Sequence, residues 1–382
     1  MHCHSPVMSD LFESGNESSR RKFLLASGAI GVTGLAGCSS QADTDDSGGD
    51  SDGDPLLADS DGFDPAAPNW TENNYLMTPL IETGYERGGQ ADLERMSNRD
   101  VEEVPHGSPV QQTPDNSAEL IDPDTLVFTE SPSEDVQGRY EEDFQAVFDR
   151  IEEETGKPVE YNKVNSYAAS VEAMRSERAH IANFSTGTTC FAVNLCGAVP
   201  FAAGVAPDGA FGYRLFAITR DDASQIQSVE DFADDDVTIA HAEPASNSGH
   251  QAPSALFDQK FDVTAGEDYE INFSGGHSQT ARGVAAGDYD AGPVCSTCIK
   301  DTVDADSNLE YGDFKVVWAS NPFPNGPIAY RYNLKPEIIE GIKRAWLDSN
   351  FEGTAYAERT GYNEYVPITY RKHWYDIMVI QR

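Results

Sequence analysis

The sequence predicts an α/β protein organised around largely parallel β-sheet. From Asp124 onward, strand-like and helix-like stretches alternate, the pattern of strands joined by crossover helices. The predicted strands run into loops of small polar residues that precede helices. The chain is also long enough for one large or two medium domains, with 382 residues, 39% of them hydrophobic and 10% aromatic.

Taken in order, "TLVFTESPSED" is a short strand ending in a polar loop. In "YEEDFQAVFDRIEEETG", Phe144, Val147, Phe148 and Ile151 recur at helical spacing, and Gly156 stops the helix. "KPVEYNKV" is a second strand, "SYAASVEAMRSERA" a second helix, and "HIANFS" a third strand that opens on "TGTTCFAVNLCGAV". "FGYRLFAITR" reads as a long mixed apolar and aromatic strand. A second α/β set follows in "VTIAHAEPASNSGHQAPSALF", "YEINFSGGHSQTARGVAAGDYDAGPVC" and "FKVVWASNPFPNGPIAYRYNL". "KPEIIEGIKRAWLDS" is a helix, followed by an aromatic-rich tail. No internal repeat of solenoid length is present.

The amino terminus reads as an export signal. Arg20 and Arg21 precede an apolar run, Phe23–Ala36, shorter than the about 20 residues a membrane-spanning helix needs. The "SRRKFL" pattern resembles a twin-arginine signal, and "LAGC" resembles a lipobox that makes Cys38 the lipidated first residue of the mature chain. Residues 1–38 are thus expected to direct the protein to the outer face of the cell membrane, tethered by lipid. Residues 39–64 carry nine aspartates and no basic residue, a solvated tether. Residues 65–119, with "NWTENNYLMTPLIETGYERGGQADLERMSN", are expected to add a helix or two as an N-terminal extension.

Acidic residues outnumber basic ones 65 to 26, a formal net charge of −39. Such a surface repels nucleic acid and anionic lipid, which excludes a DNA- or RNA-binding role. The excess is spread along the whole chain and lysine is scarce, so the surface resembles that of haloarchaeal proteins, kept hydrated in high salt by carboxylates.

Four strand-end loops stand out: Thr129-Glu130-Ser131, Ser185-Thr186-Gly187-Thr188, Ser246-Asn247-Ser248-Gly249 and Ser274-Gly275-Gly276-His277. Ligands of open parallel sheets sit at such carboxyl ends. A helix start offers unpaired N–H groups and partial positive charge, so these loops together read as an anion cradle. Any one of them alone is accounted for by helix capping. No H-E-x-x-H, G-x-S-x-G or clustered histidine–carboxylate set is present, so an enzymatic role has no motif to rest on. No cofactor motif is present either.

The order of these motifs resembles the phosphonate- and phosphate-type substrate-binding proteins of ABC importers. The resemblance runs over residues 124–350 and is most specific in "PASNSG", "SGGH" and "GDYDAG". It implies a bilobed type II binding-protein fold, with two α/β lobes joined by two crossover strands. Lobe 1 would span 120–218 and 316–382, and lobe 2 would span 219–315. Closure is expected near Tyr213–Thr219 and Val316–Ala319. The family's "S-T-S-G" falls on Ser246-Asn247-Ser248-Gly249, so an amide replaces one hydroxyl donor. Its "G-H" falls on Gly276-His277, its cleft tyrosines on Tyr167 and Tyr213, and its third-strand loop supplies Ser185, Thr186 and Thr188. Ser131 belongs to the first such loop. Members that take aminoalkylphosphonates place a carboxylate where this chain has "GPVCSTCIK", leaving only Asp290 near an ammonium. The implied ligand is a small oxyanion without a cationic tail, and the implied partners are an ABC permease and its ATPase. A monomer is expected. An oxyanion-sensing module presenting its ligand to a receptor, and a type II binding protein for a different small anion, are the other readings.

Cys190, Cys196, Cys295 and Cys298 allow three pairings. Local pairs, 190–196 and 295–298, are the simplest expectation for an exported chain, although the first needs a break in its helix. Free buried thiols, a four-thiolate metal site and a redox-active "CSTC" are the alternatives.

Overall fold

A computed structural model describes residues 87–131 and 141–382 of the chain. The expected signal, the lipobox, the acidic tether and part of the extension lie outside the described residues. Among those described, no helix is long and apolar enough to cross a membrane.

The described chain opens with helix α1, Gln90–Ser97, and reaches strand β1, Leu126–Glu130. Helix α2, Gln145–Thr155, buries Val147, Phe148 and Ile151, the spacing seen in the sequence. It ends at Gly156, whose left-handed φ of 69° lets its N–H return to Glu152 O. Strand β2 is Val159–Tyr161. Helix α3, Tyr167–Arg175, is capped by Ser166. Strand β3, Ile181–Asn183, leads through the Ser185 cap into α4, Thr186–Cys196, and then β4, Ala198–Val205. Next come β5, Leu215–Arg220, and β6, Ile239–His241. A π-helical turn, Asn247–Gln251, then runs into α5, Ala252–Phe261. Strand β7 is Ile271–Phe273, α6 is His277–Ala286, β8 is Ala291–Cys295 and α7 is Ser296–Ala305. The chain closes with β9, Phe314–Ala319; β10, Ile328–Arg331; α8, Pro336–Leu347; α9, Ala355–Thr360; β11, Glu364–Pro367; α10, Tyr370–His373; and α11, Tyr375–Ile380.

These strands form two sheets, ordered β11-β4-β10-β3-β1-β2 and β7-β6-β8-β5-β9. Both follow one plan. Three parallel strands (β2, β1, β3 and β7, β6, β8) are followed by one antiparallel strand inserted from elsewhere in the chain, β10 or β5. The first core gathers Phe128, Phe144, Phe148, Trp346 and Tyr356. One face of the second sheet packs Phe216, Ile218, Val294 and Phe314. On its other face Leu215, Phe257 and Trp318 join Val193 of α4 and Trp374 and Met378 of the C-terminal helices, so an apolar seam links the lobes.

The expected lobe boundaries, 218/219 and 315/316, fall inside β5 and β9. Both strands pair within the second sheet, so the chain crosses between lobes earlier and later than those numbers, in residues 206–214 and 320–327. A strand-like pattern shows that a strand exists but not which sheet receives it. The two crossing segments are bonded to each other, Tyr213 N to Phe323 O (3.1 Å) and Phe323 N to Tyr213 O (2.8 Å). Buried Arg214 donates from Nη1 to Ser320 O (2.8 Å).

The N-terminal extension braces this junction. Gly88 exchanges both backbone hydrogen bonds with Phe211. Met96 of α1 is buried against Ala203 and Phe211, and Arg99 pairs with Asp376 of α11. Farther on, Ile121 joins lobe 1 through bonds to Asn333 and Lys335.

Candidate functional site

The loop after β6 reaches Ser246, whose β-region backbone and hydroxyl cap the π-helical turn: Oγ accepts the N–H of Gly249 at 3.1 Å. Gly249 admits no larger residue, because a Cβ there would lie 2.8 Å from Ser246 Oγ and 2.9 Å from His277 Cε1. His277, at the start of α6, lies 3.1 Å from Ser246 Oγ through Nε2. Its Nδ1 accepts the Cys295 N–H at 3.2 Å, which places the ring hydrogen on Nε2 and makes the ring a donor to Ser246. Burial pushes the His277 pKa down to about 4, so the neutral ring is the form present near neutrality. Ser246 Oγ thus accepts from two N–H groups, and its own hydrogen remains to be donated outward.

On the facing lobe, Ser185 caps α4 and donates from Oγ to Thr188 Oγ1 (2.7 Å). Thr186 donates from Oγ1 to Pro324 O at 2.8 Å. Tyr213 binds the two lobes together: its hydroxyl receives Asn247 Nδ2–H at 3.0 Å and meets the hydroxyls of Thr186 and Ser248. Gly187 abuts the turn of lobe 2, where a Cβ would lie 2.9 Å from Ala245 O and 3.0 Å from Asn247 N. The structure therefore brings Thr186, Tyr213, Ser246, Asn247, Ser248 and His277 together, with Ser185 and Thr188 in the adjoining first turn of α4. Ser131, at the end of β1, donates to Ser170 Oγ (2.7 Å), since Ser170 is itself committed to Tyr167 O. Tyr167 is buried in the first turn of α3. These two sit at the neighbouring strand end of lobe 1.

Asp290 is not part of this set. It precedes β8 at the end away from the cradle, about 16 Å along the strand from Cys295 at 3.3 Å per residue. Its carboxylate accepts the Thr238 N–H (2.9 Å) and O–H (2.7 Å), so it joins the starts of β6 and β8. His277 was expected to touch ligand; both of its ring nitrogens are bonded to protein, and it orients the Ser246 hydroxyl.

Cys295 and Cys298 form a disulfide at the start of α7, beside His277. Cys190 and Cys196, expected as a second pair, are free buried thiols. Six residues apart on an unbroken helix, they face different sides of α4. Burial raises both pKa values to about 12, which keeps them protonated and inert. Titration of the unfolded, unreduced domain should find two reactive thiols among these four cysteines, and the native fold should show none that react quickly. Four reactive groups would overturn the disulfide. The four-thiolate site is not formed: among the described residues the one cysteine-containing cluster of potential metal donors is His277, Cys295 and Cys298.

Several contributors carry no local sequence signal. Trp374 donates from Nε1 to Thr186 O (2.9 Å), and Gln381 Nε2 donates to Gly187 O (2.9 Å) and to Gln251 Oε1 (2.7 Å). The C-terminal residues thus clasp both helix starts. Beneath the turn, His241 Nδ1 meets His250 Nδ1 at 2.9 Å and His241 Nε2 meets Tyr269 OH at 2.9 Å.

Acid should weaken this fold. Burial holds His241 well below its usual value and His250 at about 4, as it does His277. As pH falls below the ordinary 6.5, the unfolded chain takes up protons that the folded chain refuses, so stability declines towards about pH 4. For His250 and His277 the full loss is on the order of 3 kcal/mol each. Glu243, pushed up to about 7 by burial, acts in the opposite sense and offsets one group of three. Urea midpoints at fixed salt should fall between neutral and mildly acidic pH; an unchanged midpoint would contradict the buried neutral histidines.

Two lobes of matching strand order, linked by paired crossing segments with polar helix starts meeting between them, define a bilobed binding protein. Solved structures agree at the level of fold. A binding protein component of an ABC phosphonate transporter from Pseudomonas aeruginosa superposes with a TM-score of 0.57 at 21% identity, covering 65% of this chain and 82% of that one. PhnD1 from Prochlorococcus marinus, solved with methylphosphonate, gives 0.55 at 14% identity over 68% of this chain and 97% of its own. In sequence, the "Phosphate-import protein PhnD" of Mycolicibacterium smegmatis is 29% identical over 252 residues, 62% of this chain and 76% of that protein. Residues 128–375 match the model of the family of phosphonate ABC transporter periplasmic substrate-binding proteins, and the chain belongs to this family. Proteins of this kind bind and hand over a solute; they are not enzymes.

Proposed function

We propose that the chain captures a small phosphorus oxyanion without a cationic tail (phosphate, phosphite or methylphosphonate) outside the cell and presents it to an ABC permease. The observation that carries this reading is the state of Ser246: with two N–H groups donated to its oxygen, its hydroxyl is left only to donate, and it stands at a helix start facing a second helix start. An anion is the partner such a pair accommodates best. Donors from both lobes replace the anion's hydration shell while the lobes close about the crossing segments. The displacement of Asp290 from the cradle supports an untailed ligand. Export through the twin-arginine signal, a lipid anchor at Cys38, a monomeric state and a high-salt habitat complete the proposal. In high salt the long-range repulsion of a −39 chain is screened to a few ångströms.

Titration calorimetry of the domain without its signal, in molar salt, should show tight binding of one of the three untailed anions. Preference for 2-aminoethylphosphonate would overturn the untailed reading, and silence from all four compounds would remove phosphorus chemistry altogether. Detergent partitioning tests the anchor: full-length protein recovered from its host in the aqueous phase would refute lipidation at Cys38.

A further inference from the structure

Next to the outward-donating hydroxyl of Ser246 stands a side chain with the opposite need. Asn247, the first residue of the π-helical turn, is 3% exposed, and its Oδ1 is buried without a hydrogen-bond partner among the described residues. The orientation of its amide follows from the groups around it. Thr186 spends its hydrogen on Pro324 O, so where it meets the Tyr213 hydroxyl its oxygen is left to accept. The Tyr213 oxygen in turn accepts from Asn247, which presents Nδ2 to it at 3.0 Å. That leaves Oδ1 as an acceptor with nothing to accept, one residue from the strongest donor of the cradle. A buried acceptor in that condition costs free energy until a donor reaches it.

We propose that Asn247 Oδ1 is a specificity-determining acceptor that selects oxyanions still carrying a P–OH group. This rests on the oxyanion reading of the site and names the ionisation state that it takes. A fully deprotonated oxyanion would set lone pairs against Oδ1, whereas a P–OH completes the network by donating to it. The family's threonine at this position has a hydroxyl that can turn and donate, so it imposes no such demand. The amide in this chain cannot turn, because Tyr213 holds its other end.

The ligands themselves supply the test. Methylphosphonate and phosphite lose their last P–OH at the second ionisation, whereas phosphate keeps one in both of its neutral-range forms, and sulfate has no O–H. In calorimetry across that ionisation, methylphosphonate affinity should fall about tenfold per pH unit, while phosphate affinity should change little. Sulfate should bind on the order of 10- to 100-fold more weakly than phosphate. In Asn247→Thr the methylphosphonate slope should vanish and sulfate should gain. The titratable groups packed nearby are Tyr213, His250, His277 and Glu243. The first three keep one form across the neutral range. Glu243 titrates there but acts on both ligands alike, so the phosphate series cancels it.

A methylphosphonate affinity that is flat or rises with pH, or sulfate binding equal to phosphate on the unaltered protein, overturns the acceptor and leaves the oxyanion site standing. Absence of binding by every oxyanion overturns both. The sulfate comparison needs no variant, so the proposal stays exposed to refutation even if Asn247→Thr does not fold.

Discussion

Replacing Ser246 and Ser248 together by alanine is expected to weaken oxyanion binding by about 10²- to 10⁴-fold, from two charge-assisted hydrogen bonds of about 1.5–3 kcal/mol each. The loss should be largest at Ser246, where the Gly249 N–H and the His277 ring fix the hydroxyl as a donor before any ligand arrives. The same substitution removes a helix cap, at a cost of about 0.5–2 kcal/mol of stability, so unfolding must be measured alongside affinity. Single variants would divide the effect: Ser248 meets Tyr213 and is less constrained. Unchanged affinity in the double variant, with the fold intact, would place the cradle elsewhere.

A second large effect is expected far from any ligand. Gly212 has φ 72°, and a Cβ there would overlap the carbonyl oxygen of Phe323. Gly212→Ala therefore incurs left-handed strain of about 1–2 kcal/mol and also pushes apart the crossing segments, whose mutual hydrogen bonds lie one residue on. A total loss of about 3–5 kcal/mol is expected, enough to lower the melting midpoint by several degrees. Gly209 is the control, since its φ of 83° carries the strain but, among the described residues, no atom stands near its Cβ position. Gly209→Ala should cost only about 1–2 kcal/mol. Equal effects at the two sites would mean that the contact at Phe323 contributes nothing.

The legibility of the chain followed the range of its interactions. Helix α2 could be read because Phe144, Val147, Phe148 and Ile151 carry their own period, and the polar strand ends because capping chemistry is local. The inserted strands could not be placed: β5 and β10 pair with partners remote in sequence, so nothing in "FGYRLFAITR" says which sheet receives it. Asp290 was misplaced because a strand has two ends, and sequence proximity to a site loop does not say which end faces ligand. Trp374 and Gln381 went unseen because they reach Thr186, Gly187 and Gln251 from the far end of the chain. The cysteines were half legible: two intervening residues suit a bridge at the start of α7, whereas the continuity of α4 forbids one there. The role of His277 needed the Cys295 N–H, since only that bond fixes which ring nitrogen donates.

The pairing of Gly88 with Phe211, and its close approach to Pro322 on the second crossing segment, has a mechanical consequence. Gly88 joins the body beside the paired crossing segments, where an axis of lobe rotation would lie. Points near a rotation axis are displaced least, so a rotation about these segments would move Gly88 little. A pull applied at Gly88 would likewise act with a short lever arm and exert little torque on either lobe. On that geometry a pull applied at Gly88 would favour neither arrangement of the lobes, and ligand affinity would be insulated from it.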